Sequence, residues 1–262
     1  MHIKTFHNEL PLYQFDNLSA IEGIQHFVSS RKGGVSKEHL DSLNLGTSKM
    51  VNDNLDYVME NRRRIADAIN IAPTSLLFPA QTHSDHIKVV EATDTPIDDT
   101  DALITNKKGI CIAVQSADCV PILLYDPIKK AAAAIHSGWR GTVQRIAEKT
   151  VQKMSMEFGT RPEDLIAGIG PSICQEIYEV GPEVVEEVEQ KLGEFQSLIA
   201  NRKDGGKAHL DLWEANRQML INVGIKPKNI EVSGICSYTK HDEFFSARRG
   251  KTGRFGAGIL LI

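Results

Sequence analysis

ICIAVQSADCVPILLYDPIKKAAAAIHSGWRGTVQRIAEKTVQKMSMEF, residues 110–158, places three apolar runs in close succession and follows them with a helical pattern. The runs Ile110–Gln115, Pro121–Tyr125 and Ala131–His136 are apolar nearly throughout, as strands covered on both faces are. After them Val143, Ile146, Ala147, Val151 and Met154 recur at three- and four-residue steps, which predicts one helix over Thr142–Phe158. Working outward, further strands are expected at Ile24–Ser29, Ile87–Val90, Ala102–Thr105, Ile166–Ile169 and Ile230–Ser233. Further helices are expected over Asn54–Asn70, after Pro182 with Val184, Val185 and Val188 facing inward, and after Asp211 as N-cap. Strands and helices interleave without the regular alternation of a doubly wound fold, so a layered mixed α/β or α+β architecture is expected. No internal repeat or linker divides the chain, and residues 1–262 read as a single catalytic domain.

With 262 residues, 41% of them hydrophobic, the chain can bury roughly 70 to 75% of its unfolded surface, enough for a core without disulfide or metal staples. A metal here is therefore expected to serve chemistry. The net charge of −4 supplies no global field for nucleic acid or an anionic membrane, although a local basic pocket is compatible with it. Met1–Leu10 is too polar for a signal peptide and no run is long enough to span a membrane, so a cytoplasmic location is expected. The four cysteines, Cys111, Cys119, Cys174 and Cys236, form no C-x-x-C pair, and each is to be judged as buried thiol, ligand or nucleophile.

Three short segments at or beside strand ends carry the chemistry: Gln81-Thr82-His83-Ser84, Ala117-Asp118-Cys119-Val120-Pro121 and His136-Ser137-Gly138-Trp139-Arg140-Gly141-Thr142. Singly, His83 reads as a hydrogen-bonded structural histidine and Cys119 as a small buried hydrophobe. Together, His83, Cys119 and His136 are the nitrogen and sulfur donors that suit Zn²⁺ in catalytic sites with three protein ligands and one open position. The same residues also describe a Cys119 thiolate activated by His136 or His83, with Asp118 or another polar group orienting the imidazole. Spacing does not separate these two readings.

Gly138 and Gly141 permit close backbone approach, and Arg140 beside the start of a helix at Thr142 suggests an anion site. Basic, glycine-rich groups recur at Ser30–Ser36 with Ser42–Gly46, and at Ser246–Arg249 with Thr252–Arg254, where solvated surface charge is the default. No P-loop, dinucleotide fingerprint or zinc-protease helix motif is present.

The three site motifs, together with Ser-Arg-Lys-Gly-Gly-Val-Ser at 30–36, Leu-Asn-Leu-Gly at 43–46, Gly-Ile-Gly-Pro-Ser-Ile-Cys at 168–174 with Tyr178–Gly181, and Phe-Phe-Ser-Ala-Arg-Arg at 244–249 with Thr-Gly-Arg at 252–254, strongly resemble the YfiH/YlmD family. That family is known variously as multicopper polyphenol oxidase (laccase domain), purine nucleoside phosphorylase and peptidoglycan editing factor. The resemblance implies an α+β fold, a layered α-β-β-α sandwich with mixed sheets. It also implies zinc on His83, Cys119 and His136. The implied activities are phosphorolysis of adenosine, inosine and methylthioadenosine to base and ribose 1-phosphate, and hydrolytic deamination of adenosine. One departure stands out: a threonine is expected directly after Cys236, where the chain reads Cys236-Ser237-Tyr238-Thr239.

Copper oxidation fits poorly, because a multicopper site needs many more paired histidines than these. Phosphate is assigned first to Arg140, with Arg31 and Arg248 behind it, and Asn44 is assigned to a ribose or base edge. Two other classes compete with the zinc nucleoside enzyme: a cysteine-type amide hydrolase editing cell-wall precursors, and a non-catalytic nucleoside-binding protein.

Overall fold

The computed structural model describes residues 1–262. The three apolar runs become the strands Cys111–Ser116, Val120–Asp126 and Ala131–Ser137, and their side-chain alternation sets the layers. Val120, Ile122, Leu124, Ala131, Ala133 and Ile135 face one core, shared with Val143, Ile146, Val151 and Met154 of the helices above. Leu123, Tyr125, Ala132 and Ala134 face the other way and meet Ile112, Val114, Phe255, Ala257 and Ile259 of a second sheet. The far side of that second sheet, through Phe27, Cys111, Ala113 and Leu260, packs on Ile65, Ala66 and Ile69 in and beside the helix Leu55–Ala68. Helix, sheet, sheet and helix therefore stack in the four layers that the family resemblance implies.

Each main sheet has six strands and both are mixed. One runs in the order His2–Thr5, Pro11–Gln14, Ile24–Ser29, Phe255–Leu261, Cys111–Ser116, Leu76–Leu77. The other runs Ile230–Val232, Ile166–Ile169, Val120–Asp126, Ala131–Ser137, Ala102–Thr105, Ile87–Val89. In the second sheet the outer pairs are parallel and the inner ones antiparallel. No helix is long and apolar enough to cross a membrane.

Two sequence expectations change. The strand Phe255–Leu261, central to its sheet, escapes a propensity reading because Gly256 and Gly258 interrupt it. Packing requires the second glycine: a Cβ on Gly258 would lie 2.6 Å from a Phe27 ring carbon and 2.9 Å from Ala113 Cβ. The expected single helix over Thr142–Phe158 is two, Trp139–Val143 and Ile146–Phe158. Arg145 breaks them apart in the left-handed region at φ 62°, and its guanidinium is bound by Glu148, Glu194 and the Lys191 carbonyl. The turn lets the short helix cap a strand end while the longer one lies across the sheet.

Two predictions follow from this packing. Gly258→Ala forces an added methyl between Phe27 and Ala113 and is expected to cost about 1–3 kcal/mol, read from urea unfolding. His26, 2% exposed, accepts the Phe15 N–H at Nε2, and burial lowers its pKa from 6.5 to about 4. Because the unfolded chain then takes up the extra proton, stability falls as pH drops from 6.5 towards 4, at about 1.4 kcal/mol per unit. His26→Gln is expected to flatten that stretch of the stability-against-pH curve.

Candidate functional site

The site begins with strand register. Val120 pairs with Ser137 and Pro121 with His136, which sets Cys119, one residue before its strand, beside Gly138 and next to His136. A Cβ on Gly138 would stand 2.9 Å from Cys119 Sγ and 3.2 Å from a His83 ring carbon, so the residue there has to be glycine. The third member, His83, comes from a loop between sheets, and its ring meets that of His136 edge-on at a centroid distance of 5.0 Å. Candidate ligand atoms of His83, Cys119 and His136 all lie within 4.8 Å of one another.

Asp101 assembles the group. Its carboxylate is wholly buried and accepts the N–H groups of Thr82 at 3.1 Å, His83 at 3.1 Å and Ser84 at 2.7 Å, and the Ser84 hydroxyl at 2.7 Å. It also accepts Nδ1–H of His136 at 2.7 Å, which turns Nε2 towards Cys119 and His83. Three successive N–H groups curling round one anion account for His83 in the left-handed region at φ 63°. Burial works to raise the Asp101 pKa, but its hydrogen bonds and the His136 charge overrule it and hold the group well below the carboxylate range. Sequence reading missed Asp101. Its one available signal was an acidic residue leading an apolar strand, which is common.

Asp118, offered as the imidazole's partner, does something else. It accepts Ser237 Oγ at 2.6 Å, Ser246 Oγ at 3.0 Å and the Arg248 N–H at 2.8 Å, and it sits at φ 91° in the turn before Cys119. Ser237 thus supplies the hydroxyl expected directly after Cys236, which makes that departure chemically small.

Around Cys119, burial alone would raise the thiol pKa. The His136 charge, with hydrogen bonds from His136 and His83, outweighs burial and lowers it. His136 moves the opposite way: burial works to lower it, and the Cys119 and Asp101 charges prevail and raise it. A thiolate and a protonated imidazole face each other, and a soft-to-borderline cation can displace the shared proton. The donor set therefore fits a metal.

The remaining assigned residues divide. Arg140 is exposed, donates to no protein acceptor, and lies over the Trp139 ring at 4.5 Å. The expected helix start at Thr142 is not there, since the Thr142 N–H already donates to Gly138 O at 2.8 Å. Arg248 lies over the Tyr178 ring at 5.1 Å with Nη1 on the Glu179 carbonyl. Tyr178, given no role from sequence, has its pKa raised by burial and then by Cys119, with Arg248 and Arg140 acting against them, so all four share one neighbourhood.

Arg31 instead spends its guanidinium on the carbonyls of Asp41 and His241, at 2.8 and 2.9 Å, tying two loops together. Asn44 is fully buried and committed, accepting from Gly46 N and Arg254 N while donating to Asp53 and Gly46 O. It has no donor left to read a ribose.

The chain as a whole is similar to known proteins. Residues 25–262 match the family model described as multi-copper polyphenol oxidoreductase laccase. A purine nucleoside phosphorylase from Bacteroides thetaiotaomicron is 38% identical over 94% of this chain and 95% of its own length. An adenosine deaminase from an unknown prokaryotic organism is 35% identical over 92% of this chain and 94% of its own. The crystal structure of a Bacillus licheniformis hypothetical protein YfiH superposes with a TM-score of 0.88 at 31% identity, covering 99% of both chains. Likeness of this extent covers every strand and loop that builds the His83–Cys119–His136 group, and the chain belongs to the YfiH/YlmD family.

Proposed function

We propose that this chain is a zinc-dependent purine nucleoside enzyme. Its reactions are phosphorolysis of adenosine, inosine and methylthioadenosine to base and ribose 1-phosphate, and hydrolytic deamination of adenosine. The single observation that carries the reading is the convergence of His83, Cys119 and His136 on one point, with Asp101 setting the His136 tautomer. Relatives named for both activities support the substrate class. Zinc is favoured over the copper of the family description because one thiolate and two imidazoles form the only such cluster, and multicopper chemistry needs further histidine groups.

When bound, zinc supplies Lewis-acid polarisation of an oxygen in the open position. The chain's own residues do the rest. Asp101 keeps Nδ1 of His136 protonated and the loop of His83 curled, so both imidazoles are aimed before substrate arrives. Gly138 leaves room for the ligand atoms to converge. Arg140, unpaired and exposed on Trp139, and Arg248 on Tyr178 provide planar donor forks for phosphate.

A second reading has a specific observation behind it. Cys119, His136 and Asp101 also make a thiolate–imidazole–carboxylate relay, as a cysteine amide hydrolase acting on cell-wall precursors requires. Incubating pure protein with adenosine, with and without phosphate, and weighing the products separates these readings. Adenine only with phosphate and inosine in both support the proposal; no nucleoside turnover, with activity on amides that survives chelation and is lost on Cys119 alkylation, overturns it.

Three variants refine this. His83→Ala is expected to abolish stoichiometric zinc and nucleoside turnover, while Asp101→Asn is expected to lower zinc affinity about 10- to 100-fold, read by competition with a chelating dye. Arg140→Ala is expected to raise the phosphate KM about 10- to 100-fold and spare deamination, with equal loss of both activities counting against a phosphate role.

A further inference from the structure

Away from the His83–Cys119–His136 group, the fold gathers a second pair of reactive side chains. Cys174 and Cys236 stand on segments joined by a short parallel bridge, in which Ser172 N–H donates to Ile235 O at 3.2 Å and Ser237 N–H donates to Ser172 O at 3.0 Å. The bridge sets the two cysteines side by side. The Cys174 backbone N–H also donates to Cys236 Sγ at 3.3 Å. Thr239, three residues beyond Cys236, donates its hydroxyl to the Cys236 carbonyl at 3.3 Å. Both cysteines lie just under the surface, 8% and 7% exposed, within reach of a small solute.

The two sulfurs are unlike. Burial works to raise both. At Cys236 the hydrogen bonds from Cys174 and Thr239 overrule it, and the thiol falls below its ordinary value. At Cys174 burial prevails, reinforced by the hydrogen bonds with Cys236 and Glu176, and the thiol is pushed up to about 12. One sulfur thus gives up its proton more readily than its neighbour, which lies beside it to react with whatever the first becomes. Cys111 shows the contrast: it is wholly buried among apolar residues, and burial alone raises it.

We infer that Cys236 and Cys174 form a peroxide-reactive dithiol that closes to an intramolecular disulfide. In the first step the Cys236 thiolate attacks one oxygen of hydrogen peroxide. The S–O bond forms as O–O breaks, hydroxide leaves, and Cys236 becomes a sulfenic acid, oxidised by two electrons. In the second, Cys174 sulfur attacks Cys236 sulfur, its S–H proton joins the departing hydroxyl, and water is released as the S–S bond forms. The same two segments anchor the turn that presents Cys119, since the Ile173 N–H donates to Asp118 O at 3.0 Å and Ser237 Oγ donates to Asp118 Oδ1 at 2.6 Å. Closure therefore pulls on the clamp behind Cys119. The inference is independent of the substrate class proposed above.

The test exposes the reduced full-length protein to hydrogen peroxide, blocks remaining thiols with N-ethylmaleimide and maps the peptides by mass. The expected result is a linked pair of peptides carrying Cys174 and Cys236. Cys174→Ser is expected to halt at a dimedone-reactive sulfenic acid on Cys236. The inference is overturned if both cysteines stay alkylatable at peroxide levels that oxidise Cys119. It also fails if Cys236 links to Cys119 instead, or if Cys174→Ser leaves no sulfenic acid on Cys236.

Discussion

A single buried carboxylate holds the candidate site together. Asp101 is reached by three backbone N–H groups, a serine hydroxyl and an imidazole, so no part of its charge is left unanswered in a dry interior. That satisfaction has two structural results. A loop between the sheets is bent into a conformation that places His83, and the ring of His136 is fixed with one nitrogen facing its partners. Asp118 plays the matching part for Cys119, anchored by Ser237, Ser246 and the Arg248 N–H. Asp101 supports His83 in the left-handed region, Asp118 itself takes a positive φ, and each acid is spent on positioning.

The layers make such exactness of placement affordable. Paired strands Val120–Asp126 and Ala131–Ser137 are buried on both faces, so a shift of one residue would move every side chain into the wrong core. Cys119 and His136 inherit that rigidity from the strands they adjoin. Gly138 and Gly258 mark where neighbouring side chains press too close on the backbone for a Cβ, the first at the ligand cluster and the second in the opposite sheet.

The arginines are sorted by what each has already bonded. Arg31 and Arg145 are consumed by carbonyls and carboxylates, and they organise loops and a helix break. Arg140 keeps its donors free, and Arg248 rests on Tyr178 beside the cluster. The arginines thereby take different parts, a distinction carried by hydrogen bonding in three dimensions. The Cys174–Cys236 pair shows the same principle, because donors from Thr239 and Cys174 make two chemically identical thiols unlike.

Much of this was legible in the chain itself. Apolar runs such as Ala102–Thr105 and Ile166–Ile169 appear at their expected bounds, because an apolar run short enough for a strand has few other ways to be buried. His83, Cys119 and His136 stood out by residue type and by their position beside strand ends. Tertiary structure alone decided the rest. It made a strand of Phe255–Leu261, whose glycines are chosen by a neighbour's ring, and it broke the helix at Arg145. It also withdrew Asn44 and Arg31 from substrate and brought in Asp101. The physical reason is common to all four: hydrogen-bond partners and close contacts distant in sequence determine these roles, and local pattern carries no record of which groups will meet.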